Sequence, residues 1–237
     1  MRLVRFAISR LAGLLNLVKR ASDARFAPAL SRRWPLGPHY WQLSPAGNKN
    51  GRPWTALKLA AADWYLAALE EIEHKTLDLD RFVGVEMAMD GFLAAASGAF
   101  DAASSGLLDA IERRYNMARQ PTWRNWRTAK RVAANVGVTL AVQPAVDNAL
   151  KWDLTQTPPV PSGWLAQLRE LRNRSTHDDT ITRAFFRNVG GPQAGQPTKI
   201  KVAGIGDADP LRLFRGWLSS TQSLCSAMLT EADAITP

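Results

Sequence analysis

From residue 78 to residue 116 the chain runs without a proline, and this stretch more than any other restricts the fold. Phe82, Val85, Met89, Phe92, Leu93, Ala96, Phe100, Ala103, Leu107, Leu108 and Ile111 recur along it at helical spacing. Such a stripe predicts one long helix or two stacked ones. Its middle, GFLAAASGAFDAASSG, is built from Gly, Ala and Ser. Side chains that small let another helix approach closely. Close packing inside a bundle is the expected use, and a tight subunit contact is the other account.

The segments on either side carry the same period. Trp54, Leu57, Ala61, Trp64, Ala68 and Ile72 predict a helix over 54–74, and a third helical region is expected over 121–152 with a break near 136–144. Pro121 and Pro144 suit the first turns of its two pieces. TQTPPVPSG at 155–163 reads as a break, with Ser162 a plausible N-cap for a helix carrying Trp164, Leu165, Leu168 and Leu171 on its buried face. Asp179 is positioned to cap a short helix over 180–188. Residues 190–208 are rich in Gly and Pro around TKIKVAGI and read as a loop or small hairpin. A last helix over 210–232 keeps its period through Phe214, Trp217, Leu218, Thr221, Leu224, Cys225, Met228 and Leu229. The expected fold class is therefore all-α: an antiparallel four- or five-helix bundle with a short loop or hairpin before the last helix.

The net charge of +9 and pI of about 10.2 suggest a polyanionic partner until the charges are located. Residues 1–50 hold nine basic residues and one acid, whereas residues 51–237 hold basic and acidic ones in nearly equal number. An RNA-facing surface on the body must then be a local patch. Residues 31–53, SRRWPLGPHYWQLSPAGNKNGRP, read as an irregular linker. The division expected is a basic, peripheral extension and linker over 1–50 and a helical domain over 51–237. The first twenty residues place Leu3, Val4, Ala7, Ile8, Leu11, Leu14, Leu15 and Val18 on one helical face opposite a set of arginines. A membrane-surface helix, a transit-peptide-like segment and a plain extension all fit that pattern. No apolar run of membrane-spanning length occurs, so no membrane span is expected. The single cysteine, Cys225, excludes an intramolecular disulfide and fits a cytoplasmic setting.

Several chemistries lack their residues. His39, His74 and His177 are far apart and join a lone cysteine, so no zinc spacing exists and no metal site or cofactor is expected. Gly204–Gly206 is no dinucleotide fingerprint, and no phosphate-binding GxxxxGK[ST] occurs. His39 reads as a surface residue and His74 as a helix-end residue. Asp90 and Asp101 interrupt the apolar stripe of the long helix, facing either a polar seam or solvent. Trp123, Arg124, Trp126 and Arg127 form a basic-aromatic cluster. It suits base stacking, although an amphipathic helix with exposed arginines is the plainer account.

His177 stands apart. It closes the segment LRELRNRSTH, in which Arg172 lies five positions before it and Asn173 four. With 22 arginines in the chain the arginine–histidine spacing alone is weak, and the asparagine directly after Arg172 gives it its specificity. RNRSTH resembles the R-N-x-x-x-H motif of the HEPN (higher eukaryotes and prokaryotes nucleotide-binding) family, also helical bundles with the motif late in the chain. The segment MDGFLAAASGAFDA is similar to the small-residue-rich second helix of bacterial members. The resemblance covers about residues 54–233. It implies a homodimer whose two motifs meet. In many members it also implies metal-independent RNA cleavage as a toxin or antiphage effector, with an antitoxin as a partner. Other members are catalytically silent and only bind nucleotides or dimerise.

The residues suit that chemistry on physical grounds. Cleavage of RNA through its own 2′-hydroxyl, leaving a 2′,3′-cyclic phosphate, needs a base, an acid and positive charge on the phosphate. Histidine titrates near neutrality and serves as either base or acid. One chain offers one suitable histidine, and a two-fold dimer offers two. Arg172 presents a planar fork to phosphate oxygens. On a regular α-helix Asn173 and His177 would share a face. Arg172, Asn173 and His177 are thus the candidate catalytic residues, and Arg169, Arg174 and Arg183 a candidate RNA-binding strip. The plainer account pairs Arg172 with a local acid and lets His177 end a helix.

Overall fold

A computed structural model describes residues 51–73, 79–119, 123–175, 183–184, 201–202, 205 and 208–236. Residues 1–50, expected to be peripheral, lie outside the described residues, as do His39, His74, Pro121, His177 and Asp179. The described residues are all-α in class. Helices α1 (Arg52–Glu73), α2 (Leu79–Arg114), α3 (Trp126–Asn135), α4 (Gln143–Ala149), α5 (Trp164–Asn173) and α6 (Pro210–Ile235) carry the fold. Two ladders of two residues per strand complete it: β1 (Trp152–Asp153) pairs with β2 (Val160–Pro161), and β3 (Arg183–Ala184) with β4 (Lys201–Val202), both antiparallel.

The proline-free stretch forms one helix, about 54 Å long at 1.5 Å per residue over 36 residues. It is the central post: α1, α3, α5 and α6 all pack on it. The α1–α2 hairpin shows why its residues are small. Gly84 lies against Ile72, Gly91 against Tyr65 and Gly98 against Lys58, so each step of seven along α2 matches a step of seven back along α1. A recurrence of seven keeps one seam facing its neighbour. At Gly91 a Cβ would stand 2.4 Å from the Tyr65 ring, closer than any side chain permits. The small-residue stretch therefore serves packing within the bundle.

The other directions follow from paired residues. Arg52 forms an ion pair with Asp233, and Arg215 with Glu70 at 2.6 Å, so α1 and α6 run antiparallel. Phe92 of α2 stacks on Phe214 of α6 with centroids 5.0 Å apart. Arg169 meets Asp101, and Ser175 meets Asp90, so α5 runs antiparallel to α2. Glu231 of α6 accepts from the amides of Ala141 and Val142 at 2.5 and 2.9 Å, capping α4 across the chain. The helix has no side-chain cap of its own. Pro144 stands in its first turn, as its sequence suggests. Among the described residues no helix is long and apolar enough to cross a membrane.

Three local expectations change. Ser162 does not cap α5; Gly163 takes the N-cap position. The Ala149 carbonyl oxygen lies 2.3 Å from where a Cβ of Gly163 would be, so only glycine fits there. The amides of Ser162 and Gly163 both donate to the Lys151 carbonyl, at 3.0 and 2.8 Å. The β1–β2 ladder spans the break at 155–163 that reads as plain loop, and the Lys151 bonds close its base. Finally, the short helix expected over 180–188 does not hold at Arg183 and Ala184, which are strand paired with Lys201 and Val202. A ladder partner well beyond one helical turn supplies backbone bonds that local propensity does not foresee.

Candidate functional site

Helix α5 buries Leu165, Ala166, Leu168 and Leu171 and turns its other side outward. That amphipathic split sets where the motif emerges. Arg172 is half-buried and Asn173 exposed, and the Arg172 guanidinium reaches the Asn173 amide oxygen at 3.5 Å, the limit of a hydrogen bond. Arg174 is exposed beside them. Arg172 also closes the helix as a cation in its last turn, where the dipole favours positive charge. Regular α geometry ends at Asn173, and Arg174 and Ser175 form a wider π-type turn. The helical face expected to hold both Asn173 and His177 runs beyond the described residues. His177 itself lies outside the described residues.

Two polar contacts pin α5 to the central helix. The Ser175 hydroxyl donates to Asp90 at 2.7 Å. Burial pushes the Asp90 carboxyl above its ordinary range, and the Ser175 bond pulls it part of the way back. Arg169 donates to Asp101 at 3.2 Å, with its guanidinium 5.7 Å from the centroid of the Phe100 ring. Asp90 and Asp101 thus face a polar seam. They stand eleven positions apart, close to three turns, which puts them on one side of α2. That spacing is a signal legible in the sequence, whereas the element it faces, α5, comes from the packed bundle.

The proposed RNA strip is therefore divided. Arg174 is exposed at the end of α5, whereas Arg169 is engaged with α2. Arg183 lies in β3, and only its backbone is among the described residues.

No family model, curated protein or solved structure matches this chain. The site is consequently read from its own chemistry. The end of α5 offers a half-buried guanidinium fork, an exposed side-chain amide and an exposed second arginine in consecutive positions. Such a group can grip phosphate oxygens and orient a neighbouring polar ring. Among the described residues no group of three His, Cys, Asp or Glu stands together as metal ligands. Cys225 is fully buried; burial pushes its thiol far up, and the nearby Asp101 charge adds to the effect. It is no nucleophile at neutral pH.

The Trp123–Arg127 cluster divides as well. Trp126 is buried and gives its indole N–H to Asp147 at 3.4 Å. Arg124 turns inward onto Asp109 and Glu112 at 2.5 and 2.8 Å. It is not one of the exposed arginines the sequence suggests. Trp123 and Arg127 stay at the surface.

Proposed function

We propose that this protein is a metal-independent endoribonuclease with a composite site formed where the α5 ends of two identical subunits meet. Arg172 holds the scissile phosphate, Asn173 orients an imidazole, and His177 moves the proton. One imidazole of the dimer takes the proton of the 2′-hydroxyl as its oxygen attacks phosphorus. The other gives a proton to the departing 5′ oxygen as the P–O bond breaks. The products are a 2′,3′-cyclic phosphate and a 5′-hydroxyl. Arg174 adds charge along the RNA backbone. A cytoplasmic toxin or antiphage effector, restrained by an antitoxin, fits such an activity.

The observation that carries this reading is the RNRSTH segment, in which Arg172 is half-buried and Asn173 and Arg174 are exposed at the end of a helix anchored by its other face. A catalytically silent nucleotide-binding or dimerisation module is the second reading. The engagement of Arg169 with Asp101 favours it, because that shortens the cationic strip.

The deciding experiment is cleavage of structured and single-stranded RNA in excess chelator. We expect cyclic-phosphate ends and a loss of about 10²- to 10⁴-fold in rate for His177→Ala. Arg172→Ala should do comparable damage, and Arg172→Lys should restore little, since a point charge does not reproduce the fork. Cleavage unchanged in His177→Ala, or present only with magnesium, overturns the proposal. No cleavage of any RNA leaves the binding module.

A further inference from the structure

Between residues 113 and 146 the chain carries seven basic residues and no acidic one. The acids nearest this stretch are already engaged. Asp109 and Glu112 hold Arg124, and Asp147 holds Lys130 at 2.6 Å. Arg114, Arg119, Arg127 and Arg131 remain exposed, with no ion pair among the described residues. Arg127 and Arg131 are four apart on α3 and share its outer face. The Arg124 ion pairs draw the start of α3 onto the last turns of α2, and this gathers the cations onto one shoulder of the bundle.

Two aromatic rings stand among these charges. Trp123 is 86% exposed and Tyr115 is 44% exposed. Trp123 is fixed through its backbone: its carbonyl accepts from the Thr128 hydroxyl at 2.6 Å, and the next residue is the clamped Arg124. A large apolar ring held out in water by a braced backbone, with exposed arginines at neighbouring positions, is suited to a ligand with both flat apolar faces and phosphates.

We propose that this α2–α3 shoulder binds single-stranded polynucleotide, with Trp123 and Tyr115 stacking on bases and Arg114, Arg119, Arg127 and Arg131 following the phosphates. Stacking tolerates every base, and arginines contact the backbone without reading sequence, so the surface has little sequence preference. It goes beyond the cleavage reading and does not depend on it. From Asp90, where the motif helix is pinned, to Arg114 is about 36 Å along α2 at 1.5 Å per residue. The shoulder is thus a surface separate from the α5 end.

The test is fluorescence anisotropy of the full-length chain with labelled oligo-uridine, oligo-thymidine and a duplex of equal length, across a salt series. Trp123→Ala should weaken single-strand binding by about 5- to 150-fold and remove the preference over duplex. Arg127→Gln with Arg131→Gln should lower the slope of log affinity against log salt by about 1.4, for two lost phosphate contacts. Lys151→Gln with Arg212→Gln removes equal charge elsewhere and should leave that slope close to wild type. Uridine and thymidine strands should bind alike, and a marked preference for one would refute backbone-and-stacking recognition. Equal losses in both charge pairs, or no loss in Trp123→Ala, overturn the proposal. So does binding to anionic vesicles with the same variant sensitivity and no oligonucleotide binding. If Arg172→Ala abolishes strand binding while the shoulder variants do not, the α5 reading stands and this one falls.

Discussion

Arg124 and Glu112 show how a cation that looks available in the sequence can be unavailable in the fold. The Glu112 side chain is 5% exposed, and its two oxygens accept from the two terminal nitrogens of Arg124 at 3.2 and 2.8 Å. Burial works against the Arg124 charge, and the bonds and charges of Glu112 and Asp109 more than restore it. Removing one partner of such a pair leaves the other charge buried and uncompensated. We therefore expect Arg124→Ala to cost about 3–5 kcal/mol in urea unfolding. Arg124→Met combined with Glu112→Leu should recover most of that loss, because apolar replacement also removes the desolvation penalty. A single variant as stable as wild type would show that the pair is solvated. The pairing was partly legible, since Asp109 and Glu112 stand one turn apart near a helix end. Its partner was not, because nothing local says which of the arginines beyond the helix end turns back to close the contact. The same holds at the site. The outward position of Asn173 and Arg174 follows from the leucine spacing of α5, but the Ser175–Asp90 bond joins distant parts of the chain and needs the packed bundle.

At the level of elements, the helices were legible because their stripes are long and their breaks carry proline or glycine. The exceptions depended on contacts distant in sequence: the Ala149 carbonyl that requires Gly163, the ladder that makes strand of Arg183 and Ala184, and the Glu231 cap on α4. The α1–α2 seam gives a graded test of element packing. Gly91→Ala forces a Cβ into the Tyr65 ring and should cost about 1–3 kcal/mol, the usual range for overpacking. Gly98→Ala meets only the Lys58 side chain, at 3.4 Å. That stem can move aside, so the gain in helix propensity, up to about 1 kcal/mol, should show. Thermal or urea unfolding of the two variants should move in opposite directions. A Gly91→Ala protein as stable as its parent would mean that the seam is looser than its seven-residue register implies. Placing Tyr65 over Gly91 also fixes the height of α1 on α2. Through α2 the same register fixes the height at which α5 is pinned by Asp90 and Asp101.

For the whole molecule, the proposed cleavage raises the question of how so few imidazoles would supply both an acid and a base. Of the three histidines, only His177 belongs to a motif with an arginine and an asparagine at that spacing. Cleavage through the 2′-hydroxyl moves two protons, one at each end of the reaction, and a second copy of the chain brings a second His177. The reading therefore predicts an isologous dimer in solution, and it predicts how that dimer fails. Consider co-expressed subunits carrying His177→Ala and Arg172→Ala, purified as the mixed species through two different tags. If each site lies wholly within one chain, both sites of the mixed dimer are damaged as in the parent homodimers. Its rate is then the mean of theirs. If the two motifs form one composite centre, the mixed dimer keeps one imidazole and one guanidinium fork in a shared site, a set that neither mutant homodimer has. Its rate should then exceed that mean, by up to the roughly 10²- to 10⁴-fold that a positioned acid or base contributes. The rate is read in chelator with the cyclic-phosphate end as product, and the mass of the species is checked by light scattering. A monomer that cleaves RNA, or a mixed dimer no faster than the mean, removes the shared centre from the proposal.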